Sequence, residues 1–289
     1  MTNALSAQSM QPDNYLIIDS ESTDGSIKAF NDIHATIRTV SRDDFDHGQT
    51  RNIAFSYPAD IYIFLTQDSI PEDCYAIERI VDSLRDNQHC GMAYGRQVPS
   101  GNANSFARHA RLFNYPVGDQ VVIKSKNDIS RLGIKTAFCS NSFAAYRHSA
   151  MRQINFFPEN TLFAEDSIAA ANLLSKGWSI AYVPYSKTVH SHNYTFIQEF
   201  SRYFDVGAFH GLNPWFIAML GSAGGEGRRF VKSEYFYLKS EGVTFPLTRV
   251  VIRNGIRWLG YKFGQRYKIF PKRLLKFVSM NKSFWNRAN

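Results

Sequence analysis

Two apolar runs in this chain end in carboxylates, and such ends are where chemistry can be placed. Residues 60–71 read DIYIFLTQDSIP, and the run stops abruptly in Thr66-Gln67-Asp68. Ile61 to Leu65 show no helical period, so the run reads as a buried strand with Asp68 just beyond its carboxyl end. In open α/β sheets that rim is where ligands bind. A plainer alternative is that Asp68 starts a turn or caps a helix beginning at Pro71. Residues 15–19, YLIID, repeat the pattern with Asp19, followed by the turn-forming SESTDGS.

The surrounding segments supply a frame for both acids. A helix over 26–33, a strand over 36–40, a polar loop at 45–52 feeding a helix to about residue 57, and a helix over 71–85 lead to a strand over 90–98. Residues 100–132 are polar and irregular, an excursion suited to a cleft, with Phe106, Phe113 and Tyr115 as an aromatic cluster. Residues 139–147 return to the sheet. Glu165-Asp166 then run into an Ala- and Leu-rich helix over 168–176 that Gly177 closes, before a strand over 178–183 and a helix over 196–210. Strand and helix alternating at short intervals are the pattern of an α/β sheet flanked by helices.

Composition sets outer bounds. The 289 residues are 44% hydrophobic, ample for one sizeable domain with an appendage. Cys74, Cys90 and Cys139 lack metal-ligand spacing, so reduced thiols in a cytoplasmic protein are expected. The first residues show no signal-peptide pattern, and no apolar run approaches the roughly 18 residues of a membrane span. The net charge of +8 is unevenly spread. Residues 226–289 hold 15 Lys and Arg against 3 Glu, whereas residues 1–225 hold 18 basic and 22 acidic groups. The expected organisation is therefore a domain over 1–225 and a basic, aromatic-rich helical extension over 226–289.

Taken in order, Asp19 with STDG, FDHGQTRN at 45–52, FLTQDSIP at 64–71, FAED at 163–166 and VHSHNYT at 189–195 form a series that resembles a known family. The chain resembles the inverting nucleotide-sugar glycosyltransferases of family 2 with the GT-A fold, a Rossmann-like, mixed and mainly parallel sheet between helices. Residues 95–116, GRQVPSGNANSFARHARLFNYP, are similar to a signature of the bacterial rhamnosyltransferases that build cell-surface polysaccharides. The resemblance covers roughly residues 4–280, nearly the whole chain.

It implies a set of roles. Thr66-Gln67-Asp68 stands where the family has a DxD-like motif, with Thr66 in place of the first acid, so Asp68 alone carries over as metal ligand. His190 matches the second ligand, and His192 is the alternative, expected to face the other side of an extended segment. Mg²⁺ or Mn²⁺ suits such a set. Asp166 matches the catalytic base, and a helix first turn favours its ionised form, although the pair can also merely complement a helix N-terminus. Asp19 and Arg51 match contacts to the nucleotide-sugar, alongside Thr66 and Gln67. Trp178 and the aromatics near Phe113 could stack on an acceptor or pack in the core. Family members open with a strand that lines the nucleobase pocket, whereas this chain opens inside the helix that follows.

The implied reaction is sugar transfer, most concretely rhamnose from dTDP-rhamnose, to a polyprenyl-diphosphate-linked glycan. In the extension, Ile252, Ile256, Leu259 and Phe263 recur at helical spacing, with Arg249, Arg253 and Arg257 on the adjoining face. An apolar stripe beside a basic one suits a helix lying on an anionic membrane surface, peripheral on the inner face of the cytoplasmic membrane. Nucleic acid is the weaker alternative for this charge. The rival to an enzyme is a non-catalytic protein, binding membrane or nucleic acid, on a transferase scaffold lacking its first strand.

Overall fold

Strands and helices alternate from Leu16 to Val189, and the chain is helical thereafter, in a computed structural model that describes residues 1–221 and 224–287. Residues 288–289 of the extension lie outside the described residues. The strands are β1 (Leu16–Asp19), β2 (Thr36–Thr39), β3 (Ile61–Leu65), β4 (Ile70–Pro71), β5 (Cys90–Val98), β6 (Val122–Lys124), β7 (Phe143–Arg147) and β8 (Ser179–Val189). Helices α1 (Thr2–Ser6), α2 (His47–Asn52), α3 (Ala76–Asp86), α4 (Ser105–Asn114), α5 (Ile129–Leu132), α6 (His148–Gln153) and α7 (Glu165–Ser175) lie among them. After β8 come α8 (Phe196–Leu212), α9 (Pro214–Leu220), α10 (Gly224–Ser240), α11 (Pro246–Gln265), α12 (Lys272–Val278) and α13 (Lys282–Arg287).

The main sheet has the order β3-β7-β5-β8-β4, with β6 also paired to β8. β3, β5 and β8 share one direction, and β7 runs antiparallel between β3 and β5. β1 and β2 form a separate parallel pair, Leu16 opposite Thr36 through Asp19 opposite Thr39. Among the described residues, the second edges of β1 and β3 pair with no strand, and both strands line one cleft of about 2200 Å³. Helix α1 also borders it through Met1, Thr2 and Leu5.

Period-two alternation sorts the core into two layers. Met92 and Tyr94, Ala144 and Tyr146, and Ile180 and Tyr182 face one side, where α7 adds Ile168, Leu173 and Leu174. Ala93, Ala145, Ala181 and Val183 face the other, under Ile77, Ile80, Val81 and Leu84 of α3. Those four positions follow helical spacing and are all buried. Small residues beneath α3 let it sit close to the sheet, while large ones fill the space beneath α7.

Three segments differ from the sequence expectation. Residues 105–114 form a helix, not an irregular excursion, because Asn104 caps it by accepting from the Ala107 amide at 2.9 Å. Helix α3 starts at Ala76 instead of Pro71, because Ile70 and Pro71 pair with Val189 and Thr188 of β8. Asp68 is therefore not a cap of that helix.

The third concerns the extension, whose α11 packs along α8. A Cβ on Gly264 would lie 2.0 Å from the Phe204 carbonyl oxygen, and one on Gly260 2.4 Å from that of Phe200. Glycine alone fits such helix contact. Arg253 and Arg257 share the spacing of those glycines, so they turn inward and do not form a solvated basic stripe. Arg253 Nε donates to Glu199 Oε1 at 2.8 Å, while Arg257 reaches Glu199 Oε2 at 2.6 Å and Glu234 Oε1 at 2.9 Å. Both arginines and both acids are buried.

Candidate active site

The short ladder of β4 with β8 is what brings Asp68 to the histidines. It ties the turn after β3 to the end of β8, and the backbone continues with His190 N donating to the Val98 carbonyl at 2.9 Å. His190 Nε2 lies 3.2 Å and His192 Nε2 3.5 Å from Asp68 Oδ2. One ligand atom from each of the three falls within 4.8 Å of the others. His192 was expected on the opposite side. The alternation fails because β8 ends at Val189, and Ser191 Oγ and Asn193 Oδ1 pin the following loop by accepting from the backbone amides of Ser100 and Asn104. The two imidazoles meet edge-on, 4.7 Å apart.

The contacts behind His190 decide which of its ring nitrogens faces Asp68. His190 Nδ1 contacts Gln97 Oε1 at 2.9 Å, and Gln97 Nε2 donates to Ser140 Oγ at 2.9 Å. Gln97 is thereby oriented with its oxygen toward the ring, so His190 donates from Nδ1 and presents a lone pair at Nε2. Two acceptors, that lone pair and the Asp68 carboxylate, then face each other. A divalent cation satisfies both, and an Asp-His-His donor set fits one. Thr66 Oγ1 donates to Asp68 Oδ1 at 2.7 Å. When the ring instead carries a proton on Nε2, its hydrogen bond to Asp68, ahead of the one from Thr66, outweighs partial burial and holds the Asp68 carboxyl well below its ordinary range.

The acidic pair sits at the start of α7, entered through Ala164 at φ 61°. Glu165 is buried and forms an ion pair with Arg51 at 2.8 Å. Burial opposes its ionisation, but Arg51, His47 and the Asn141 amide prevail and lower its pKa. Asp166 Oδ1 accepts from the Ser167 amide at 2.7 Å and Oδ2 from the Asn141 amide at 3.2 Å. Burial first, and the adjacent Glu165 charge second, push Asp166 up to about 6. A carboxyl tuned to that range takes up a proton readily near neutral pH.

Asp19, Arg51, Asp166 and the Thr66–Asp68 turn all line the cleft that also holds both histidines. Asp19 ends β1 and accepts from the Ser22 amide at 3.0 Å. Gln67 is exposed at the rim. Arg51, expected at the nucleotide, is already engaged by Glu165. Trp178 is not among the cleft residues and donates from its indole to Gln153 at 3.1 Å, while Phe106 and Tyr115 do line the cleft. Sequence reasoning missed Gln97, Asn141 and the role of Glu165. Strand alternation could have placed Gln97, two residues on from the buried Gly95, but nothing local marks its bond to His190.

Residues 1–154 match the profile of glycosyl transferase family 2. Over 286 residues, 98% of this chain and 90% of the relative, the sequence is 45% identical to the O-antigen chain rhamnosyltransferase WbaN of Salmonella anatum. It is 42% identical over 287 residues, with the same coverage, to the O-antigen chain rhamnosyltransferase RfbN of Salmonella typhimurium LT2. Among solved structures, it superposes on the mannosyltransferase PcManGT of Pyrobaculum calidifontis, in complex with GDP-Man and Mn²⁺, at a TM-score of 0.56. That match has 14% identity and covers 99% of this chain and 82% of the other. TarS of S. aureus gives 0.54 at 11% identity, covering 92% of this chain and 52% of the other. These two likenesses speak for a GT-A-like fold. A profile spanning more than half of the chain, and relatives this similar over nearly all of it, give the conclusion that the chain belongs to glycosyl transferase family 2 and is a glycosyltransferase.

Proposed function

We propose that this glycosyltransferase is inverting, and that it moves rhamnose from dTDP-rhamnose to a polyprenyl-diphosphate-linked glycan during cell-surface polysaccharide assembly. One observation carries the reading: a donor set suited to a divalent cation and a buried carboxyl tuned toward neutral pH share a single cleft. The names of the two relatives, both O-antigen chain rhamnosyltransferases, support the choice of sugar and pathway.

Asp68 and His190 would hold Mg²⁺ or Mn²⁺, with His192 within reach of the same ion. Bound there, the ion supplies positive charge that stabilises the leaving diphosphate. Asp19 offers a carboxylate to the nucleoside, and Thr66 and Gln67 line the donor side of the turn. In a single displacement the acceptor hydroxyl oxygen bonds to the anomeric carbon, the bond from that carbon to the diphosphate oxygen breaks, and Asp166 takes the hydroxyl proton. Burial of the base beside Glu165 keeps its proton affinity matched to that task.

The extension supports a place on an anionic lipid surface. Val251, Ile252, Trp258, Leu259 and Phe263 are exposed on the side of α11 away from Arg253 and Arg257, and Arg249, Lys262 and Arg266 flank them. Among the described residues, no helix is long and apolar enough to cross a membrane. An amphipathic face with basic flanks suits peripheral binding where lipid-linked acceptors reside.

The deciding test is transfer of radiolabelled rhamnose from dTDP-rhamnose to a membrane lipid fraction with Mn²⁺ present. Product formation that is lost in Asp166→Asn and on chelation supports the reading. If neither transfer nor donor hydrolysis is detected with dTDP-rhamnose, while another nucleotide-sugar is turned over, the donor assignment is wrong.

A further inference from the structure

The cleft contains an arginine whose charge is already committed before any ligand arrives. Arg51 Nη1 lies 2.8 Å from Glu165 Oε1 and also donates to the His47 carbonyl at 3.1 Å. Asn141 joins the pair from a third segment, donating from Nδ2 to Glu165 Oε1 at 3.0 Å and from its backbone amide to Asp166 Oδ2 at 3.2 Å. The buried Tyr146 hydroxyl donates to Asn141 Oδ1 at 2.7 Å, which fixes the sense of that amide. Asn141 thus spans both carboxyl groups, and Glu165 is gripped from two sides. We propose that Arg51 is a positioning residue, which through Glu165 and Asn141 holds Asp166 ready as the base, and that it is not a nucleotide contact. This rests on Asp166 being the base.

The charge balance of the pocket explains why the pairing matters. The groups that face the two acids are Arg51 and His47 from α2, Cys139 and Asn141 from the segment before β7, Tyr146 from β7 and Tyr115 from the end of α4. Burial lowers the proton affinity of His47 and raises that of Cys139, Tyr146 and Tyr115, so all four are neutral at neutral pH. Arg51 is then the one permanent cation among these groups, and two carboxyl groups compete for it. Its contact with Glu165 settles the competition: Glu165 ionises first, and Asp166 is left as the group that titrates where catalysis occurs.

The test is the pH profile of kcat/KM for Glu165→Gln, Arg51→Gln and Arg51→Lys, with donor affinity measured separately by titration of dTDP-rhamnose. Glu165→Gln removes the neighbouring negative charge and moves the acid limb down by about one pH unit. Arg51→Gln leaves two buried carboxyl groups sharing a proton and moves the limb up. Arg51→Lys keeps the charge and restores the wild-type position, and donor affinity stays unchanged in all three. Weakened donor binding with an unmoved limb would show Arg51 to be a nucleotide contact and overturn the inference. So would a uniform loss of activity and Tm with no opposed shifts. If Arg51→Gln does not fold, Glu165→Gln decides, because the glutamine oxygen keeps the Asn141 bond. Asp166→Asn is the separate control. Activity there removes the base reading itself, whereas inactivity with unmoved limbs removes only the role of Arg51.

Discussion

Asp166 is held in a state that opposes folding and that suits the base proposed for the transfer. Its folded pKa is raised to about 6, above the roughly 3.9 of an unfolded aspartate, so the native state binds its proton more tightly than the unfolded chain. The resulting penalty is absent below pH 4 and fully present above pH 6. Asp166→Asn should therefore raise Tm at pH 8 with no gain at pH 4, while transfer falls about 10²- to 10⁴-fold. An unchanged Tm difference across that range would show that the carboxyl is not strained. At the other acid, Gln97→Ala frees His190 to rotate and should weaken Mn²⁺ affinity about 10- to 100-fold in an EPR titration, with the fold intact. Asp68 was legible because a strand's end can be read from five apolar residues. Gln97 was not, since its bond to His190 joins residues 93 positions apart.

At the level of elements, what the sequence showed well was what a local period can show. The spacing of Ile77, Ile80, Val81 and Leu84 marks α3 and its buried face without reference to the rest of the chain. Truncation there, as in Leu84→Ala, should cost about 2–5 kcal/mol in a denaturant melt. The face of α11 was misread for the complementary reason. Arginine on a helix is usually a solvated residue, and only the approach of α8 and α10, with Glu199 and Glu234, makes it profitable to bury. Glu199→Ala would strand the buried Arg253 and leave Arg257 with Glu234 alone, and should destabilise by about 3–5 kcal/mol, well beyond the effect of a surface carboxylate. Gly264→Leu should be at least as damaging, because the side chain would enter the backbone of α8. A mild effect of either change would mean that α11 does not rest on α8 as described. Helix α4 as a whole escaped the sequence reading because its cap, Asn104, sits in a polar stretch that reads equally well as a loop.

On the scale of the molecule, the inward turn of Arg253 and Arg257 leaves the outer face of α11 more apolar than its composition suggests. Replacing Val251, Ile252 and Trp258 together with Ser should abolish sedimentation with phosphatidylglycerol vesicles and leave Tm nearly unchanged. Wild-type binding should weaken as salt rises, and equal binding to neutral vesicles, or a preference for duplex DNA, would count against the lipid surface. The separation of β1–β2 from the main sheet has a different consequence. Among the described residues, no ladder transmits order between residues 16–39 and 61–189, so the two should open as separate units in hydrogen exchange, the smaller at the lower free energy. Asp19 rides on the smaller unit and Asp68 on the larger. A donor held by both would bridge them, and dTDP-rhamnose should then slow exchange at Leu16–Asp19 far more than at Cys90–Val98.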